Sequence, residues 1–117
     1  MLWIDTPDNI RRYQLEMNEY FNGCVNCHAS RPTFLEFVSA EASKGDALRE
    51  IGKVYGIDKS EMIAVGDSYN DISMIEYAGL GVAMGNAPPE IRAMADYVTL
   101  TNDEDGVAAV IDKFFLV

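Results

Sequence analysis

Met62-Ile63-Ala64-Val65-Gly66-Asp67-Ser68-Tyr69-Asn70-Asp71 is the stretch that decides the fold of this 117-residue chain. Its first four residues are apolar without interruption, as in a short strand buried on both faces of a parallel sheet. Gly66-Asp67 follows at once, so the strand delivers a carboxylate to its C-terminal end. In open α/β sheets that edge is where ligands bind. A helix is expected to begin near Ser68, and its free N–H groups and positive dipole end would favour an anion such as phosphate. Asp67 and Asp71 stand four apart at this helix start, where two carboxylates repel unless a cation lies nearby. Oxygen ligands of this sort suit Mg²⁺, which commonly takes one or two carboxylates plus water and phosphate oxygens. The same residues would also serve as a plain helix cap with a solvated acid.

The flanking sequence extends the pattern in both directions. Upstream, Ser43-Lys44-Gly45 opens a helix whose Ala47, Leu48, Ile51, Val54 and Tyr55 recur at helical spacing, with Gly56 as its stop. Lys44 is thereby placed to aim at a phosphate near the sheet edge, although a lone lysine is far more often simply solvated. Downstream, Ile72, Ile75 and Ala78 mark a helix ended by Gly79, and Leu80 to Met84 forms a second buried strand. Pro88-Pro89 opens a helix to about Ala95, Tyr97 to Leu100 reads as a third strand, and Val107, Val110, Ile111 and Phe114 mark a last helix. This alternation predicts an α/β fold, a doubly wound, Rossmann-like parallel sheet over residues 41–117.

Residues 1–40 are of another kind, a smaller antiparallel α+β piece. Leu2-Trp3-Ile4 is a short apolar run, and Pro7 opens a helix carrying Ile10, Tyr13, Leu15, Met17, Tyr20 and Phe21. Asn22-Gly23 stops it. Cys24 to Ser30 and Thr33 to Ser39 then read as a pair of strands around an Arg31-Pro32 turn. The run Cys24-Val25-Asn26-Cys27-His28 matches the covalent haem-attachment pattern. In a strand, however, side chains alternate faces, so cysteines three apart point to opposite sides. The chain holds two Cys and one His, too few for a structural zinc site. Cys24, Cys27 and His28 are therefore read as structural, with His28 or Arg31 facing a substrate cleft.

Composition narrows the function further. A formal net charge of -10 repels phosphate backbones and anionic lipid, which argues against nucleic-acid or membrane-surface binding. No apolar run approaches the ~20 residues of a membrane span, and the start of the sequence lacks the basic-then-apolar order of a secretory signal. The chain is read as cytoplasmic, with its thiols reduced. Asp103-Glu104-Asp105 lacks the alternating ligands and terminal Glu of a calcium loop and reads as a solvated helix start. Gly81 to Gly85 is too short for a dinucleotide fingerprint and reads as a buried strand and exit turn, with Asn86 near the active-site edge.

Four motifs then occur in a fixed order: Gly66-Asp67-Ser68-x-Asn70-Asp71, Ala78-Gly79-x-Gly81-Val82-Ala83-Met84-Gly85-Asn86-Ala87, Ala95-Asp96-Tyr97-Val98-Thr99, and Asn102-Asp103-Glu104-Asp105-Gly106-Val107-Ala108. Over residues 43–111 the chain resembles the C-terminal half of the haloacid-dehalogenase-like phosphatases, in their Cof-type branch. Residues 1–40 resemble the last part of the α/β cap that these proteins insert in the core. The resemblance implies an Mg²⁺-dependent phosphatase of small phosphorylated metabolites, working through an aspartyl-phosphate. It gives Lys44 the neutralisation of nucleophile and phosphoryl charge, and Asp67 the role of Mg²⁺ ligand. Asp71 would orient the metal's water shell, and Asn70 would hydrogen-bond the substrate phosphate. Phosphoryl transfer depends on positioning and charge stabilisation, which these residue types supply.

The family's nucleophile motif, D-x-D-G-T/S, is not found in the chain, and Asp5-Thr6-Pro7-Asp8 lacks its spacing. The expectation is thus a C-terminal portion of a longer phosphatase that starts inside the cap and is inactive alone. The strand Met62 to Val65 would then have an open edge, which invites a homo-oligomer or a complementary fragment. The competing reading is a non-catalytic binding or interaction module that has kept the fold and lost the chemistry.

Overall fold

The computed structural model describes residues 1–116 as two compact units, the first Met1–Ala42 and the second beginning at Ser43. In the first unit, β1 (Leu2–Ile4), α1 (Pro7–Phe21), β2 (Val25–Arg31) and β3 (Phe34–Ser39) form a helix on a three-stranded antiparallel sheet of order β1-β3-β2. The Thr6 hydroxyl accepts from Asn9 N–H, and Pro7 occupies the first turn, where a missing N–H costs nothing. The helix ends where Asn22 and Gly23 adopt positive φ, 46° and 85°. Ile10 on the helix and Cys27, Leu35 and Phe37 on the sheet make the core, with Tyr13, Met17 and Phe21 packed around it. Leu15 and Tyr20 of the expected stripe instead face solvent.

The strand expected from Cys24 begins one residue later, at Val25, with Cys24 on the bend before it. Cys24 is exposed and Cys27 buried, both as free thiols, and burial pushes the Cys27 thiol pKa up. The Asn18 side chain brackets Cys27, accepting from its N–H and donating to its carbonyl, at 3.2 and 3.0 Å. His28 lies across from Glu36 on the neighbouring strand, 3.6 Å from its carboxylate.

In the second unit the elements run α2 (Lys44–Tyr55), β4 (Ile63–Gly66), α3 (Ile72–Tyr77), β5 (Leu80–Ala83), α4 (Pro89–Met94), β6 (Tyr97–Val98) and α5 (Gly106–Phe114). The strands form a parallel sheet of order β4-β5-β6, pairing Ile63 with Leu80 through Gly66 with Ala83. Val82 and Ala83 are wholly buried, as a central parallel strand requires. Ile75, Ala87 and Ile91 pack with Ala83, while Met62, Ala64 and Ala78 form a second cluster.

Three elements depart from expectation. β6 is two residues long, because the chain leaves ideal geometry after Val98, although Thr99 N–H still donates to Ala83. α3 begins at Ile72 and not near Ser68; a 3₁₀ turn over Tyr69–Asp71 comes first. α2 packs by only part of its apolar stripe: Leu48 meets the Met62, Ala64 and Ala78 cluster, but Ile51, Val54 and Tyr55 are exposed. Its buried residues are Gly45 and Gly52, seven apart on one face. A Cβ on Gly45 would stand 2.5 Å from the Ser73 carbonyl oxygen, so only glycine lets the start of α2 close on α3. No helix among the described residues is long and apolar enough to cross a membrane.

Candidate active site

The parallel sheet brings the exits of its three strands to one edge. β4 ends at Gly66, and Asp67 follows on an exposed turn. Asp71 builds that turn. One of its oxygens, Oδ2, accepts from the N–H groups of both Asp67 and Ser68, at 2.9 and 3.0 Å. The other, Oδ1, accepts from Lys44 Nζ at 2.5 Å. The carboxylate is only 3% exposed and every side-chain oxygen is engaged. Burial alone would raise its pKa. The hydrogen bonds from Lys44 and from the Asp67 and Ser68 amides outweigh that and hold it below the ordinary carboxylate value.

Lys44 arrives from α2, as its first residue. Ser43 caps the helix, accepting from Asp46 N–H at 3.0 Å, and Gly45 N–H donates to Ser73 Oγ at 3.0 Å. The start of α2 is therefore tied to α3, which fixes the lysine beside Asp71. Its side chain remains half exposed, so the ammonium is available to an incoming anion.

Lys44, Asp67 and Asp71 line one cavity of about 330 Å³. Asn70 sits on the same turn but is exposed and outside the cavity wall. Asn86, after β5, does line it, at the edge where the sequence places it. Asn102 and Met84 also line the cavity and were not anticipated. The signal for Asn102 was available, because in a parallel sheet the residues after each strand gather at one edge. Of the N–H groups around the expected helix start, those of Asp67 and Ser68 are not free for an anion, since Asp71 Oδ2 already accepts from both.

The donor set suits part of a magnesium site. Among the described residues no three His, Cys, Asp or Glu side chains converge as a metal cluster. Mg²⁺ needs only one or two carboxylates when waters and phosphate oxygens complete its shell. With Asp71 consumed by hydrogen bonds, Asp67 is the carboxylate of this wall that remains open for coordination.

Comparison with known proteins agrees in direction. A family model described as haloacid dehalogenase-like hydrolase matches residues 1–111. Phosphatase YwpJ of Bacillus subtilis is 59% identical over 73 residues, covering 62% of this chain and 26% of that protein. The 5-amino-6-(5-phospho-D-ribitylamino)uracil phosphatase YcsE of the same organism is 46% identical over 87 residues, 74% of this chain and 35% of that protein. A crystal structure of a haloacid dehalogenase-like hydrolase from Bacteroides thetaiotaomicron superposes with a TM-score of 0.90 at 42% identity, over 97% of this chain and 43% of that one. Relatives that match nearly the whole of this chain are longer, and the chain spans 43% of their length.

Proposed function

The chain belongs to the haloacid dehalogenase-like hydrolase family, and from that premise we propose that it supplies the lysine-and-metal half of a Cof-type, Mg²⁺-dependent phosphatase of small phosphorylated metabolites, working in the cytoplasm. The observation that carries the reading is the hydrogen-bonded unit of Lys44, Asp71 and the Asp67 turn at the end of β4. Lys44 neutralises phosphoryl charge with its exposed ammonium. Asp71 holds Lys44 and the Asp67 backbone at fixed positions, so neither has to reorganise as charge develops. Asp67 would hold Mg²⁺, and Asn70 would donate to a phosphate oxygen from the rim of the turn. When bound, the metal would screen charge between the reacting oxygens.

The phosphoryl-accepting aspartate is, in this proposal, not among the residues of this chain. Among the described residues, Asp67 is the one aspartate directly following a strand of the parallel sheet. Asp103-Glu104-Asp105-Gly106 repeats part of the nucleophile pattern, but Asp103 and Glu104 lie in a 3₁₀ turn, Asp105 is in the left-handed region and Gly106 begins α5. A strand carrying the nucleophile, from another chain or a complementary segment, would pair along the open edge of β4, which among the described residues has β5 as its single neighbour. The ester oxygen would leave as an alcohol, and water would then release inorganic phosphate from the acylphosphate.

The chain alone is therefore expected to show background hydrolysis of a generic phosphomonoester, yet to retain inorganic phosphate in equilibrium dialysis when Mg²⁺ is present. Asp67→Asn should abolish the Mg²⁺-dependent part of that retention. Robust turnover by the chain alone, or retention indifferent to Mg²⁺ and Asp67, would contradict the proposal.

A further inference from the structure

Two asparagines in the cavity wall have no part in the reading above. Asn86 follows the exit of β5, and Asn102 opens the 3₁₀ turn after β6. The backbone N–H of Asn102 donates to Asn86 Oδ1 at 2.9 Å. The two exits are also joined by Gly85 N–H donating to the Leu100 carbonyl at 3.0 Å. A buried bond from Thr99 Oγ1 to the Gly106 carbonyl, 2.8 Å, braces the second exit from behind.

That arrangement settles the direction of an amide. An asparagine side chain has one accepting oxygen and two N–H donors on its nitrogen. A backbone N–H can bond only to the oxygen, so the Asn102 amide fixes which end of Asn86 it meets. The nitrogen is left with both donors, and among the described residues it donates to no protein acceptor.

The rest of the wall explains what such a donor is for. Its charged groups are Lys44, Asp67 and Asp71, and the single ammonium is shared with Asp71. An anion entering here meets one shared cation and two carboxylates. A neutral donor held by the backbone adds attraction for oxygen without adding a counter-charge that would compete with a metal. We infer that Asn86 Nδ2 donates to a non-bridging oxygen of the bound phosphoryl group, and that the Asn102 N–H is the strut that orients it. This inference rests on the phosphoryl-binding reading of the same cavity.

The test is a titration of the ¹⁵N-labelled chain with inorganic phosphate in the presence of Mg²⁺. Three signals are followed: the Gly66 and Asp67 backbone amides and the Asn86 side-chain amide. Movement of all three in step supports the inference. Movement of Gly66 and Asp67 with a still Asn86 amide overturns it and leaves the phosphoryl reading standing. Stillness of all three overturns both.

Variants separate a donor from a mere latch. Asn86→Ala removes the donors and the latch oxygen without adding charge, and should weaken phosphate retention by roughly tenfold or more, the scale of a hydrogen bond to a charged group. Asn102→Pro removes the strut together with the Asn102 side chain, and Asn102→Ala, which keeps the backbone N–H, is the control for that side chain. Proline is tolerated at the first position of a helical turn, and Thr101 already has the extended backbone that a following proline requires, φ -73° and ψ 169°. It should weaken retention by only about threefold, because the donors survive unaligned. An Asn102→Pro effect as large as that of Asn86→Ala would mark a purely structural latch and overturn the inference.

Discussion

Asp71→Ala is expected to cost about 3 kcal/mol of stability, because it removes a buried carboxylate that answers three donors at once. The Asp67 and Ser68 amides lose their acceptor, and Lys44 loses its partner. The half-exposed Lys44 can rehydrate, so most of the cost falls on the turn. In a unit of this size that corresponds to a fall in Tm of about 10 °C or more, measurable by circular dichroism. Asp71→Asn, which keeps one good acceptor oxygen, should lose about half as much.

The same group sets an acid limb. Because the folded state holds the Asp71 pKa below its ordinary value, its contribution is complete above about pH 3.9 and is lost as pH falls through the lowered folded value. Wild type should therefore lose its advantage over Asp71→Asn as the pH drops below that point, while the two differ by a constant amount near neutrality. An advantage unchanged down to pH 2 would show that Asp71 is not ionised and bonded as described.

Gly66→Ala is expected to be nearly as damaging, about 2–3 kcal/mol, through overpacking. The new methyl carbon would stand 2.4 Å from Asp71 Cβ and 2.8 Å from its Cγ. Asp71 cannot retreat without releasing the Asp67 and Ser68 amides and Lys44. The backbone at Gly66 is not in the left-handed region, so the requirement for glycine is one of space and not of conformation. Thermal melting should show the loss, and Mg²⁺-dependent phosphate retention should fall with it. A variant that melts like wild type would mean that the Asp71 side chain does not rest on Gly66.

These two residues also show how far the sequence could be read. The uninterrupted Met62–Val65 run followed by Gly66-Asp67 was enough to place a parallel strand and an acid at its exit, because burial on both faces leaves few other uses for such a run. The role of Asp71 in the fold was not legible. The spacing suggested two carboxylates near a cation, but the carboxylate turns inward to cap the turn and bind Lys44, a choice made by the contact with Gly66. The face of α2 was misjudged for a related reason. Apolar periodicity points to Ile51 and Val54, whereas the close contact is made by Gly45 and Gly52, which hydrophobicity does not weigh. Asn102 depends on the pairing of two loops, which is set only once the strands are in order.

The most direct test of the account is to locate the cation. Mn²⁺, added in place of Mg²⁺ to the ¹⁵N-labelled chain, broadens signals from residues close to the bound ion. Selective loss of the Asp67, Ser68 and Asn70 amide signals is expected, abolished by Asp67→Asn. Broadening centred on Asp103 to Asp105, or spread evenly over the acidic surface, would contradict it.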